Sequence, residues 1–147
     1  MIRLERTRIL VHCSKQFLRQ WAEYFEQQEA FRLLEEPKNA LTMIRMRESA
    51  QHSVFYLGEV LVSETRVECK NVIGIGVIQG NELEKSYDLA VIDAACNAAL
   101  CGIEALEAAL VQEKQRQDAE HARHVAGILK TRVNFETMED RKSTRLN

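Results

Sequence analysis

Two adjoining stretches decide the fold: Val54-Phe-Tyr-Leu-Gly-Glu-Val-Leu-Val-Ser-Glu-Thr-Arg-Val-Glu-Cys69 and, two residues later, Val72-Ile-Gly-Ile-Gly-Val-Ile78. The first is rich in β-branched and aromatic residues, and its second half alternates. Thr65, Val67 and Cys69 fall on one side and Glu64, Arg66 and Glu68 on the other, the period of a half-buried strand. Gly58 interrupts the first half and is the expected site of a bulge or bend. In the second stretch Ile73, Ile75 and Val77 share a face, with Gly74 and Gly76 on the opposite one. After Gly80 the period changes from two to 3.6. Leu83, Tyr87, Ala90, Val91, Ala94, Ala95 and Ala98 then form a helical stripe of small residues, with Asn81 and Glu84 placed as a capping box.

Working outward, both sides become apolar between Ala94 and Leu110, which predicts a central helix buried on more than one face. Gln112–Asp118 is polar throughout and reads as a solvated helical turn or a break. A last stripe follows at Ala119, Ala122, Ala126, Leu129 and Val133. Upstream, Pro37 with Lys38 and Asn39 predicts a turn between extended segments Phe31–Glu35 and Leu41–Arg47. Ser14 is placed to cap a helix whose apolar stripe is Phe17, Leu18, Trp21, Ala22 and Phe25. A shorter helix should precede it, burying Leu4, Ile9 and Leu10. Helices, then strands, then helices give an α+β fold: an N-terminal helical pair, an antiparallel meander of three to four strands, and C-terminal helices packed on the sheet. Residues 1–138 form one domain on this reading, and residues 139–147 a disordered tail.

Composition narrows the function. The 147 residues carry 20 Lys plus Arg against 22 Asp plus Glu, a net charge of −2, which disfavours a nucleic-acid binder driven by phosphate contacts. The uncharged run Ala94–Ile103 is far short of the about 20 apolar residues a membrane span needs. Met1-Ile-Arg-Leu-Glu-Arg6 does not have the make-up of a secretory signal, so a cytoplasmic protein is expected. Cys13, Cys69, Cys96 and Cys101 form no CxxC pair and should be reduced.

Candidate chemistry is sparse. Gly74-Ile-Gly-Val-Ile-Gln-Gly80 sits where phosphate loops lie, yet matches neither the dinucleotide fingerprint nor the Walker pattern. The preferred reading is that Gly74 and Gly76 let a helix lie close to the sheet. His121 and His124 are three apart beside Glu120, but spacing places no third zinc ligand, and a solvated helix face is preferred. His12-Cys13-Ser14 cannot act as a dyad, because neighbouring residues diverge on a helix edge. Arg45 and Arg47 share a strand face and are weak anion-binding candidates, against the alternative of a solvated or salt-bridged face. No catalytic, cofactor-binding or metal residue is assigned. Val133, Phe135 and Met138 are apolar but fit no single period with the preceding stripe, and Arg132 and Asn134 stand beside them. An aromatic and a methionine beside polar neighbours have the composition of a partner-binding anchor. The rival reading is that Phe135 folds back to plug the domain's own core.

Five segments occur in a shared order and spacing: Leu41–Arg47, Phe55–Val62, Gly74–Gly80, Ala90–Ala95 and Arg132–Met138. In this the chain resembles the G-subunit family of the bacterial carbon–phosphorus lyase core, from about Arg6 to Met138. The resemblance implies a subunit without catalytic residues of its own, working with subunits H, I and J and the associated L subunit. That assembly is expected to transfer methylphosphonate to the ribose of ATP with release of adenine, as an α-D-ribose 1-methylphosphonate 5-triphosphate synthase. A radical iron–sulfur subunit then cleaves the carbon–phosphorus bond. ATP is thus a substrate of the assembly, and no cofactor is expected in this subunit. The chain departs from its relatives in two places. Glu48-Ser-Ala-Gln-His-Ser53 stands where many have a glycine-rich turn, and Glu139–Asn147 replaces their usual ending. A stand-alone anion-binding module and a generic helical adaptor are the rival readings.

Overall fold

The computed structural model describes residues 1–130; Arg132–Met138 and the tail lie outside the described residues. Contacts divide the chain into two units, Met1–Lys114 and Gln115–Asn147. The order is α1 (Arg3–Leu10), α2 (Lys15–Glu26), β1 (Arg32–Arg47), β2 (Val54–Cys69), β3 (Val72–Gln79), α3 (Leu83–Asn97) and α4 (Ile103–Lys130). The three strands form an antiparallel meander in the order β1-β2-β3, so the fold is α+β as the sequence predicts.

The core of the first unit forms where α3 lies on the sheet. From Ser86 to Ala95 all of α3 but Tyr87 is buried. The stretch Ala94–Leu110, expected as one helix buried on more than one face, is instead interrupted after Asn97 and buries only Ala94, Ala95, Leu100, Leu106 and Leu110. Helix α3 approaches β3 so closely that no side chain fits between them. A Cβ on Gly76 would lie 1.8 Å from the Ser86 carbonyl oxygen, and one on Gly74 2.2 Å from that of Ala90. The glycine face is therefore the inner one, and Ile73, Ile75 and Val77 are left exposed on the outer face. Thr65, Val67 and Cys69 are buried on the helix side, while Arg66 is exposed and Glu64 and Glu68 are half-buried. On that outer face the charges pair across strands: Lys38 with Glu64 (3.3 Å), Arg66 with Glu35 (3.1 Å) and Arg32 with Glu68.

Ser14 caps α2 by accepting a hydrogen bond from the Phe17 N–H (3.1 Å), and Leu18, Ala22 and Phe25 are buried beneath it. Leu106 and Leu110 of α4 join the same core.

Several expectations need correction. Pro37 makes no turn: β1 runs through it, with register irregularities between Leu33 and Glu35 and between Glu35 and Lys38. Because β1 is an edge strand, a residue lacking an N–H is tolerated at such a bulge. Leu4 is exposed, and Arg6 takes the buried place beside Ile9 and Leu10. No capping box forms at Asn81; α3 starts at Leu83 without a side-chain cap, and Asn81 Oδ1 instead accepts from Asn39 Nδ2 (2.9 Å). The helical break falls at Ala98–Gly102, where Ala99 and Gly102 have φ of +52° and +90°, while the polar segment Gln112–Asp118 lies inside α4. Of the two readings of that segment, the solvated helical turn holds and the break does not. In the second unit the helix continues to Lys130, with Val125, Ile128 and Leu129 exposed and Arg116 paired with Glu120.

Candidate functional site

Three features of the first unit bear on function: a buried carboxylate hub, a cleft, and an uncovered hairpin arm.

The hub is Asp93, a lone carboxylate in the apolar run Ala90-Val-Ile-Asp-Ala-Ala95, 5% exposed. Arg3 grips it with two hydrogen bonds (3.0 and 2.5 Å) and Arg6 adds a third (3.0 Å), both reaching from α1. The Ile75 N–H donates to it from β3 (3.1 Å), as does Asn97 Nδ2 (3.3 Å), which also reaches the Ile73 carbonyl (3.2 Å). Asp93 and Asn97 thus satisfy backbone groups on the outer edge of β3, where another strand would otherwise pair. With its oxygens occupied by structural donors, Asp93 is a fastening rather than a base.

The cleft has a volume of about 810 Å³ and lies between the start of α2, the Pro37 bulge of β1 and the start of α3. Leu33, Pro37 and Leu83 form apolar walls, and Lys15, Arg19, Lys85 and Asp88 supply charge. Lys15 is held by Glu82 (2.8 Å) and Arg19 by Glu23, Glu26 and Asp88 (2.8 to 3.1 Å). Burial pushes the Asp88 carboxyl above the ordinary aspartate range, with Arg19 opposing. Burial, with the acceptor Glu26 beside its hydroxyl, pushes Tyr87 up to about 12. Lys15, Arg19 and Asp88 are thus held in ion pairs, while Lys85 has no ion pair among the described residues.

The arm is the distal part of the β1–β2 hairpin. β3 pairs with β2 only from Val62 to Cys69, so Leu41–Arg47 and Val54–Leu61 continue as two strands alone. Every residue from Leu41 to Glu59 is exposed. A bulge between Ile44 and Arg45 lies beside Gly58, as the sequence suggests. Glu48 and Ser53 close the connecting loop with a backbone hydrogen bond (2.9 Å). Both faces of the arm carry exposed apolar residues: Ile44, Met46 and Phe55 on one, and Leu41, Met43, Tyr56 and Leu61 on the other, where Arg45, Arg47 and Glu59 stand among them. Tyr56 is 61% exposed and Leu57, skipped at the bulge, 60%.

Of the sequence candidates, Arg45 and Arg47 lie on this arm, opposite Tyr56 and Val54, and both are exposed. The partner-binding candidates Arg132, Val133, Asn134, Phe135 and Met138 lie outside the described residues. His121 and His124 are exposed on α4, and no cluster of three or more potential metal ligands occurs among the described residues. Cys13 and Cys69 are buried, Cys96 half-buried, and Cys101 exposed in the break before α4. No helix among the described residues is long and apolar enough to cross a membrane. Sequence reasoning missed Asp93 and Asp88, although a carboxylate within an apolar helical run was a readable signal for the first.

A family model described as "Phosphonate metabolism protein PhnG" matches residues 1–140. No curated protein matches the chain.

Proposed function

The chain belongs to the PhnG family of phosphonate metabolism proteins, and from that premise we propose that it is a subunit of the carbon–phosphorus lyase core complex. In this reading it supports transfer of methylphosphonate to the ribose of ATP with release of adenine, the α-D-ribose 1-methylphosphonate 5-triphosphate synthase reaction. It acts in the cytoplasm with subunits H, I and J and the associated L subunit, by assembly and by shaping a site whose catalytic groups others provide. It needs no cofactor of its own; ATP is the assembly's substrate.

The observation that supports this reading best is the arm. A two-stranded hairpin is at best marginally stable alone in water, and one with exposed apolar residues on both faces gains its stability by being covered. Lys15, Arg19 and Asp88 of the cleft, and Asp93 with Arg3 and Arg6, are held in ion pairs, which suits a structural subunit. Expressed with its sister subunits, the chain should co-purify and support adenine release from ATP in the presence of methylphosphonate; alone, it should release none. Adenine release by the isolated chain would overturn the proposal. The segment Arg132–Met138 is proposed as a further docking element: Phe135→Ala should fold normally yet lose about 2 kcal/mol or more of partner binding.

A second reading, a stand-alone anion-binding module, is favoured by Arg45 and Arg47, neither of which has an ion-pair partner among the described residues. It requires methylphosphonate or phosphate to bind the isolated chain by calorimetry, with binding lost in Arg45→Ala/Arg47→Ala.

A further inference from the structure

We propose that residues 41–61 are a docking arm that inserts into an apolar groove of a sister subunit, and that carboxylates lining this groove pair with Arg45 and Arg47. The inference rests on the subunit reading and assigns it a surface. Three observations converge on it.

The first is composition. Met43, Met46, Phe55 and Tyr56, with Arg45 and Arg47, are the residue types that concentrate in interface cores, and Tyr and Arg those that dominate binding energy. The second is unmatched charge. Elsewhere on β1 the cations are paired: Arg32 with Glu68, and Lys38 with Glu35 and Glu64. Arg45 and Arg47 have no such partner among the described residues. Glu59, the nearest carboxylate by register, sits opposite Met43 and forms no ion pair among the described residues, and Glu48 accepts from Ser53 instead. Two adjacent unpaired guanidiniums on a strand face, interleaved with Tyr56, complement an acidic surface. The third is geometry. The arm begins where β3 ends and carries apolar residues on both faces, so one flat surface cannot cover it. A groove covers both faces at once.

The test uses co-expression with subunits H, I and J. In one variant Met43–Glu59 is replaced by Asn-Gly, joining Thr42 to Val60, which already pair, through a two-residue hairpin turn. The other is Arg45→Glu/Arg47→Glu. Melting of the isolated chains checks folding, and the charge variant, wholly on the exposed surface, serves if the shortened chain fails to fold. The wild-type chain should co-purify. The charge variant should melt as wild type and bind the sister subunits at least about 30-fold more weakly, because each reversal sets like charges together in a desolvated contact. The shortened chain should not co-purify. If the wild-type chain co-purifies and both variants follow it unchanged, the arm proposal fails while the subunit reading stands. If the wild-type chain does not co-purify, both fail. If the isolated wild-type chain is a dimer that the charge variant dissociates, the arm serves a second copy and the proposal is overturned.

Discussion

Asp93 shows how one residue can fasten three elements. Its carboxylate joins α1, through Arg3 and Arg6, to α3 and to the edge of β3. Arg6 is itself buried, and its Nε has no hydrogen-bond partner among the described residues, so the guanidinium depends on this carboxylate for compensation. Asp93→Asn should therefore lower stability by about 3–5 kcal/mol in urea denaturation, because one buried charge loses its counter-charge. Asp88 differs. Its raised folded pKa means the folded chain keeps a proton that the unfolded chain releases. Stability from this group is fully present below the unfolded aspartate pKa and falls as pH rises from about 4 through the folded value. Asp88→Asn should flatten that fall, measured as urea midpoints across the acidic range. The thiols separate by burial, since Cys69 and Cys96 are both pushed above the ordinary cysteine range by it and Cys13 is inaccessible. In the folded chain a thiol reagent at about pH 8 should modify Cys101 first, the others following only slowly or on unfolding. Rapid modification of all four would contradict the burial described.

Among the elements, the contact of α3 with β3 sets the geometry of the rest. Ser86, Ala90 and Ala94 recur every fourth residue along the helix, and Gly74 and Gly76 face them. Thr65 and Ser86 bridge helix and sheet through their hydroxyls (2.7 Å), and the Ser63 hydroxyl accepts from the Glu82 N–H (2.8 Å) just before α3. The spacing admits no methyl group, so Gly76→Ala should destabilise the fold by about 3 kcal/mol, as overpacking against backbone does. Guanidinium unfolding measures it, and an unchanged midpoint would mean that α3 can lift from the sheet at no cost. Pro37 shows the opposite tolerance, because an edge strand can hold a residue without an N–H where a central strand cannot.

At the scale of the whole molecule, the isolated chain exposes more apolar surface than a self-sufficient subunit needs, on the arm and along Ile73, Ile75 and Val77. It should bind an environment-sensitive dye such as ANS, and shortening the arm should reduce the signal at least about twofold. Assembly with sister subunits should reduce it similarly. A dye signal unaffected by either change would show that the arm is not the sticky surface.

The sequence by itself determined the element order, the strand faces, the cap at Ser14 and the close approach at Gly74 and Gly76. Each is a local pattern: alternation, a polar residue before an apolar stripe, or glycine where a side chain would stand. It also carried a trace of the arm, since Val54–Leu61 lacks the alternation that Thr65–Cys69 has, as suits a strand with no buried face. Tertiary structure alone decided that β1 continues through Pro37, because whether proline ends a strand depends on whether the strand lies at an edge of the sheet. It alone gathered Arg3 and Arg6 onto Asp93 from 90 and 87 residues away, pairings that no local period encodes.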